Sequence, residues 1–118
     1  MQIRILAFFL LLVSALAVPA NTSAQMCHST GNVELTITPE NNNSPWVNFA
    51  FVNSNDYAVT IQAAITLRDT GGNEKKLSRT IVVNPGTTKD LRFASSNVGM
   101  GNLAPYDCSC IFFPSKCD

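Results

Sequence analysis

The sequence predicts an all-β domain built as an antiparallel sandwich of two sheets. Three observations carry this. No segment shows a convincing helical period. Alternating stretches recur every 10 to 15 residues, with turn residues between them. Each stretch is apolar on one face and polar on the other, so two sheets must cover each other's apolar faces.

The elements follow in order. Residues 25 to 31 (QMCHSTG) read as a short polar lead-in. Asn32 to Thr38 alternates, with Val33, Leu35 and Ile37 on one face. Pro39 to Pro45 is a loop of prolines, asparagines and serine. In the strand Trp46 to Asn53, Val47, Phe49 and Phe51 share one face, and Trp46, Asn48, Ala50 and Val52 the other. Tyr57 to Asp69 has the clearest alternation, with Val59, Ile61, Ala63, Ile65 and Leu67 pointing one way. Thr70-Gly71-Gly72-Asn73 supplies the positive-φ residues of a hairpin turn. The return strand runs from about Lys75 to Val83. Asn84-Pro85-Gly86 then fits a turn with Pro second and Gly third. Thr88 to Phe93 is another strand, and Ala94 to Pro105 a long loop. The last strand is Tyr106 to Phe113, with Pro114 expected to stop it.

Ahead of this domain, residues 1–24 read as a cleaved secretory signal peptide. Arg4 is their only charged residue, an apolar run of 14 residues spans Ile5 to Val18, and small and polar residues follow. That run is short of the ~20 residues a membrane-spanning helix needs, so no integral membrane segment is expected after cleavage. Cleavage after Ala24 is preferred to cleavage after Ala20, leaving one domain at 25–118. The product is then secreted, or periplasmic in a bacterium. Seven basic and eight acidic residues remain, and no basic stripe exists, so no nucleic-acid partner is suggested.

All four cysteines, Cys27, Cys108, Cys110 and Cys117, lie in the exported part. An even count in a small exported chain reads as two disulfides. Cys108 and Cys110 share a strand face about 7 Å apart, which disfavours a bond between them. The expected pairing is Cys27–Cys108 with Cys110–Cys117; Cys27–Cys110 with Cys108–Cys117 stays open.

The stretch Val47 to Phe93 resembles small immunoglobulin-like or fibronectin-III-like modules. It carries F-x-F-x-N (Phe49, Phe51, Asn53), the V-x-I-x-A-x-I-x-L strand, a D-x-G-G turn, N-P-G-T and L-x-F. The resemblance covers about half of the exported part. It departs from antibody-type domains in having no Cys on the second strand, and Trp46 opens its strand instead of standing mid-core. It implies an immunoglobulin-like β-sandwich, a fold that hosts many functions.

Several residues are candidates for chemistry or binding. Cys108-Ser109-Cys110 could form a redox site, but the adjacent charge, Asp107, has the wrong sign to activate a thiol. Met26, Cys27, His28 and Met100 are donors that suit copper, although His28 is the only histidine. The acidic residues Asp56, Asp69, Glu74 and Asp90 read as turn and surface residues, and no catalytic motif is present. Trp46 and Tyr57 flank the second strand as contact anchors, or Trp46 caps the open end of the core. The loop holding Met100 is long enough to bind a partner. Asn42-Asn43-Ser44 is a glycosylation sequon followed directly by Pro45.

The expectation is an exported, non-enzymatic sandwich without a cofactor that binds another protein through a sheet edge or its loops. The alternatives are a periplasmic redox or copper-handling protein, using Cys108 and Cys110 or Met26 and His28, and a carbohydrate-binding module using Trp46.

Overall fold

The structure is a computed structural model that describes residues 26–118, so the expected signal peptide lies outside the described residues. Six strands form on the alternating stretches: β2 (Val33–Thr38), β3 (Trp46–Asn53), β4 (Val59–Arg68), β5 (Glu74–Val83), β6 (Thr88–Ala94) and β7 (Ser109–Cys117). A seventh, β1 (Cys27–Ser29), forms within the expected lead-in.

Period-two alternation becomes burial directly. On β4, Val59, Ile61, Ala63, Ile65 and Leu67 are buried, while Gln62, Ala64 and Arg68 are exposed. On β3, Val47, Phe49 and Phe51 are fully buried. All neighbouring strands are antiparallel. They make a three-stranded sheet in the order β2-β3-β6 and a four-stranded sheet in the order β1-β7-β4-β5. The buried faces of the two sheets share one core. Phe51 of β3 meets Phe112 of β7 edge-to-face across it, at 5.4 Å between ring centroids. A fully buried large apolar side chain stabilises by about 1.5–3 kcal/mol. An exposed pair such as Arg68–Glu74 (2.8 Å) adds about 0–1 kcal/mol. The core therefore dominates.

Turn chemistry agrees with the sequence. Gly72 (φ 85°) and Gly86 (φ 63°) adopt the left-handed backbone that their turns need.

One buried polar residue ties the sheets together. Asn53, at the end of β3, is fully buried. Its Nδ2 donates to the carbonyls of Tyr57 (2.9 Å), Val83 (3.1 Å) and Asn84 (3.3 Å). Its Oδ1 accepts from the backbone N–H and side chain of Asn55, both at 2.9 Å. Asn53→Leu keeps the volume and removes every one of these bonds. The expected loss is about 2–3 kcal/mol, because an unsatisfied buried group costs about 1–3 kcal/mol. Chemical denaturation of the two proteins measures it.

Two expectations about the C-terminal strand are corrected. Pro114 does not stop it; β7 runs on to Cys117. The Pro114 carbonyl accepts from the Thr30 N–H, on the β1 side. In an antiparallel strand a residue's N–H position and C=O face the same way. The donor that proline lacks therefore points away from β4 and costs no bond of the β4–β7 ladder. The strand also starts later than expected, because Pro105–Asp107 forms a 3-10 turn.

The disulfide expectation is corrected too. There is one disulfide, Cys27–Cys117, and Cys108 and Cys110 are free thiols. Because β7 passes through Pro114, Cys117 lies directly opposite Cys27 on β1, with the Cα atoms 4.0 Å apart. The flanking pair 26/118 is hydrogen-bonded, so 27/117 is a non-bonded pair, the closer of the two kinds. Cys108 and Cys110 face the core side, away from both partners proposed for them.

Candidate functional site: the open edge of β7

On β7, residues whose backbone faces β1 alternate with residues that face β4. Thr30 N–H donates to the Pro114 carbonyl and Asp118 N–H to the Met26 carbonyl, so the even-numbered residues face the β1 side. The β1 strand covers only Ser115 to Cys117. The amide N–H and C=O of Cys110 and Phe112 therefore point off the sheet, without a backbone partner among the described residues. On its other side the window Ser109–Phe113 is paired to β4 from Thr66 to Gln62.

The side chains along this window are uncharged. Ile111 and Phe113 stand on the outer face, each 64% exposed. In register beside them, Ala64 of β4 lies opposite Ile111, and Gln62 opposite Phe113. The small Ala64 side chain borders two shallow depressions of about 250 and 300 Å³, lined also by Phe113 and Ile111 respectively.

The edges at β5, β6 and β2 differ. β5 carries Lys75, Lys76 and Arg79 along its edge, β6 carries Lys89, Asp90 and Arg92, and β2 carries Glu34. Charged residues of this kind discourage added strands. Arg79 also closes the β5–β6 seam by lying over the Phe93 ring, 5.5 Å from its centroid.

Other candidate residues are dispersed. Trp46 lies half-buried on the outer face of the three-stranded sheet with the Arg92 guanidinium over its ring at 4.1 Å, so it does not cap the core. Tyr57 is at the far end of β3, packed against the core. Its hydroxyl bonds Thr30 Oγ1, and Lys116 Nζ lies 4.7 Å from its ring centroid. The two aromatics stand a strand length apart, roughly 24 Å, and make no shared patch.

The copper donors do not converge either. Cys27 is oxidised, and His28 Nε2 lies 3.7 Å from Asp118 Oδ2. Met26 precedes β1 opposite the end of β7, whereas Met100 belongs to the loop that leads toward its start.

That loop is held by a residue read as a plain turn former. Asp69 is buried. Its Oδ1 accepts from the N–H groups of Gly71 (3.0 Å) and Asn73 (2.8 Å), and its Oδ2 from Asn73 Nδ2 (3.0 Å) and the Gly101 N–H (3.1 Å). The Asn73 side chain first, then these backbone donors, hold the carboxyl below its ordinary value against the opposing effect of burial. The loop is therefore anchored at Gly101, beside Met100.

The free thiols are shielded. Burial pushes the Cys108 thiol up, partly offset by the Arg68 N–H, which lies 3.4 Å from Sγ. Burial pushes Cys110 up to about 11. Neither thiol has the low pKa of a reactive cysteine. In the native protein, alkylation by iodoacetamide at about pH 7.5 is expected to be slow at both and to speed up toward pH 10, whereas the unfolded protein reacts at once. Fast native labelling at neutral pH would revive the redox reading.

Among the described residues, no three His, Cys, Asp or Glu side chains cluster to hold a metal ion, and no helix is long and apolar enough to cross a membrane. No family model, curated protein or solved structure matches the chain.

Proposed function

We propose that this chain is an exported, non-enzymatic β-sandwich of the immunoglobulin-like type that binds another protein by accepting its strand at the open edge of β7. One observation carries the reading. The Ser109–Phe113 edge has outward amide and carbonyl groups at Cys110 and Phe112, exposed Ile111 and Phe113, and no charged side chain. Strand addition supplies affinity through main-chain bonds and specificity through alternate side chains. An edge that is both open and apolar is an aggregation hazard unless something covers it in use.

The immunoglobulin-like reading is supported by the succession of strands. The chain passes from β3 in one sheet to β4 in the other, back to β6, and across again to β7. Export is supported by the apolar leader and by the Cys27–Cys117 disulfide.

The test is differential capture from the fluid into which the chain is secreted, with wild type and Ile111→Lys/Phe113→Lys as baits. Both positions are largely exposed, so the fold tolerates the changes. A protein retained by wild type and lost on the double variant is the expected result. A protein held equally by both would place the binding surface elsewhere.

A further inference from the structure

We infer that the strand received at this edge is the β7 strand of a second copy of the chain, giving a transient two-fold dimer; this rests on the edge-binding reading above. The open window is bounded at one end by β1, which reaches Ser115, and at the other by the 3-10 turn that precedes Ser109. Its outward-facing backbone groups belong to Cys110 and Phe112, symmetrically about Ile111.

A two-fold axis through Ile111 therefore matches the window to itself. Cys110 of each copy falls opposite Phe112 of the other. Both have N–H and C=O directed outward, so each of the two pairs exchanges two hydrogen bonds, as antiparallel bonded pairs do. Ile111 meets its own copy at the close, non-bonded position, where side chains approach best. Ser109 and Phe113 pair at the margins. Shifting the register by two residues toward the C-terminus would set Cys110 against Pro114, which has no N–H and whose carbonyl is already taken by Thr30. A one-residue slip would oppose outward-facing groups to inward-facing ones.

Charge agrees with this arrangement. The window carries none, so no like charges meet at the axis. The exported part has seven basic and eight acidic residues, which leaves little overall repulsion between copies. Five paired residues bury less than the roughly 1,200 Å² of a stable interface, so the dimer forms and parts with concentration.

Sedimentation velocity of the secreted protein from about 5 µM to about 1 mM tests this over the range expected for a small interface. Wild type is expected to shift from monomer to dimer. Ile111→Lys and Ile111→Glu should each remain monomeric, and their mixture should pair, because only a two-fold through residue 111 sets lysine against glutamate. A monomeric wild type throughout, a dimer indifferent to these substitutions, or a mixture that fails to pair would overturn the proposal. A labelled synthetic peptide of residues 109–113, with serine for Cys110, separates the two readings. Peptide binding by a protein that does not self-associate refutes the second copy and keeps the edge. Loss of both sinks both.

Discussion

Phe51→Ala is expected to lower stability by about 3–5 kcal/mol, the range for removing a buried aromatic ring. Phe51 is fully buried on β3, and its ring meets Phe112 of β7 edge-to-face at 5.4 Å. The two sheets are each fixed by their own ladders and cannot close over the vacated space. The cavity term therefore adds to the lost transfer free energy. The effect should extend beyond stability, because Phe112 holds β7 against the core from the inside. Phe113→Ala is the control: one residue further along β7, on the opposite face and 64% exposed, it should change stability by no more than about 0.5 kcal/mol. Urea unfolding of both variants reads the difference, and equal losses would contradict the assignment of faces on β7.

Cys27→Ala/Cys117→Ala is expected to cost about 3–4 kcal/mol. The disulfide spans a sequence separation of 90 residues. In chain-entropy terms a loop of that size restricts the unfolded state by about 4–5 kcal/mol, and removing a native disulfide from a small domain costs about 2–5 kcal/mol. The loss should fall locally as well. β1 has three residues, all exposed, so little besides the disulfide and its ladder bonds holds it to β7. Without the bridge β1 should fray, lengthening the open edge from Ser109–Phe113 toward Cys117. The variant is then expected to be less stable and yet to capture strands more readily. Thermal unfolding together with the sedimentation experiment measures both consequences. A variant as stable as wild type would mean that β1 is held by other contacts.

Much of the framework is legible from alternation. Trp46–Asn53 was expected with the same bounds that β3 has, and the buried row of β4 was expected residue by residue. These strands are read easily because one face is buried along their whole length, which forces a strict period of two.

Illegible features depend on contacts between distant parts of the chain. Three residues of β1 carry no readable period, so the lead-in gave no sign that it would pair with β7, and with it the Cys27–Cys117 pairing was missed. Proline reads as a stop because it lacks a donor. Whether that donor would have been used depends on which side of the strand it faces, and that is set by a neighbour some 50 residues away, at Ile61. The shared face of Cys108 and Cys110 followed from their spacing, but their free state followed from the rest of the topology.

The proposed binding edge is legible in the sequence only in kind. A sandwich implies edges, and edges imply strand addition. Which edge is open depends on β1 being too short to cover β7. Asn53 reads as the last residue of a strand and Asp69 as an ordinary turn residue, yet both are buried hubs. The D-x-G-G-N run around Asp69 was the available signal, since the carboxylate gathers donors from its own turn.

Amide hydrogen exchange along β7 in the dilute protein tests the central claim most directly. Ile111 and Phe113, whose N–H groups face β4, should be protected, while Cys110 and Phe112 between them exchange quickly and become protected when a strand is added. Uniform protection from Ser109 to Phe113 in the dilute monomer would show that the edge is already covered, and would contradict the account.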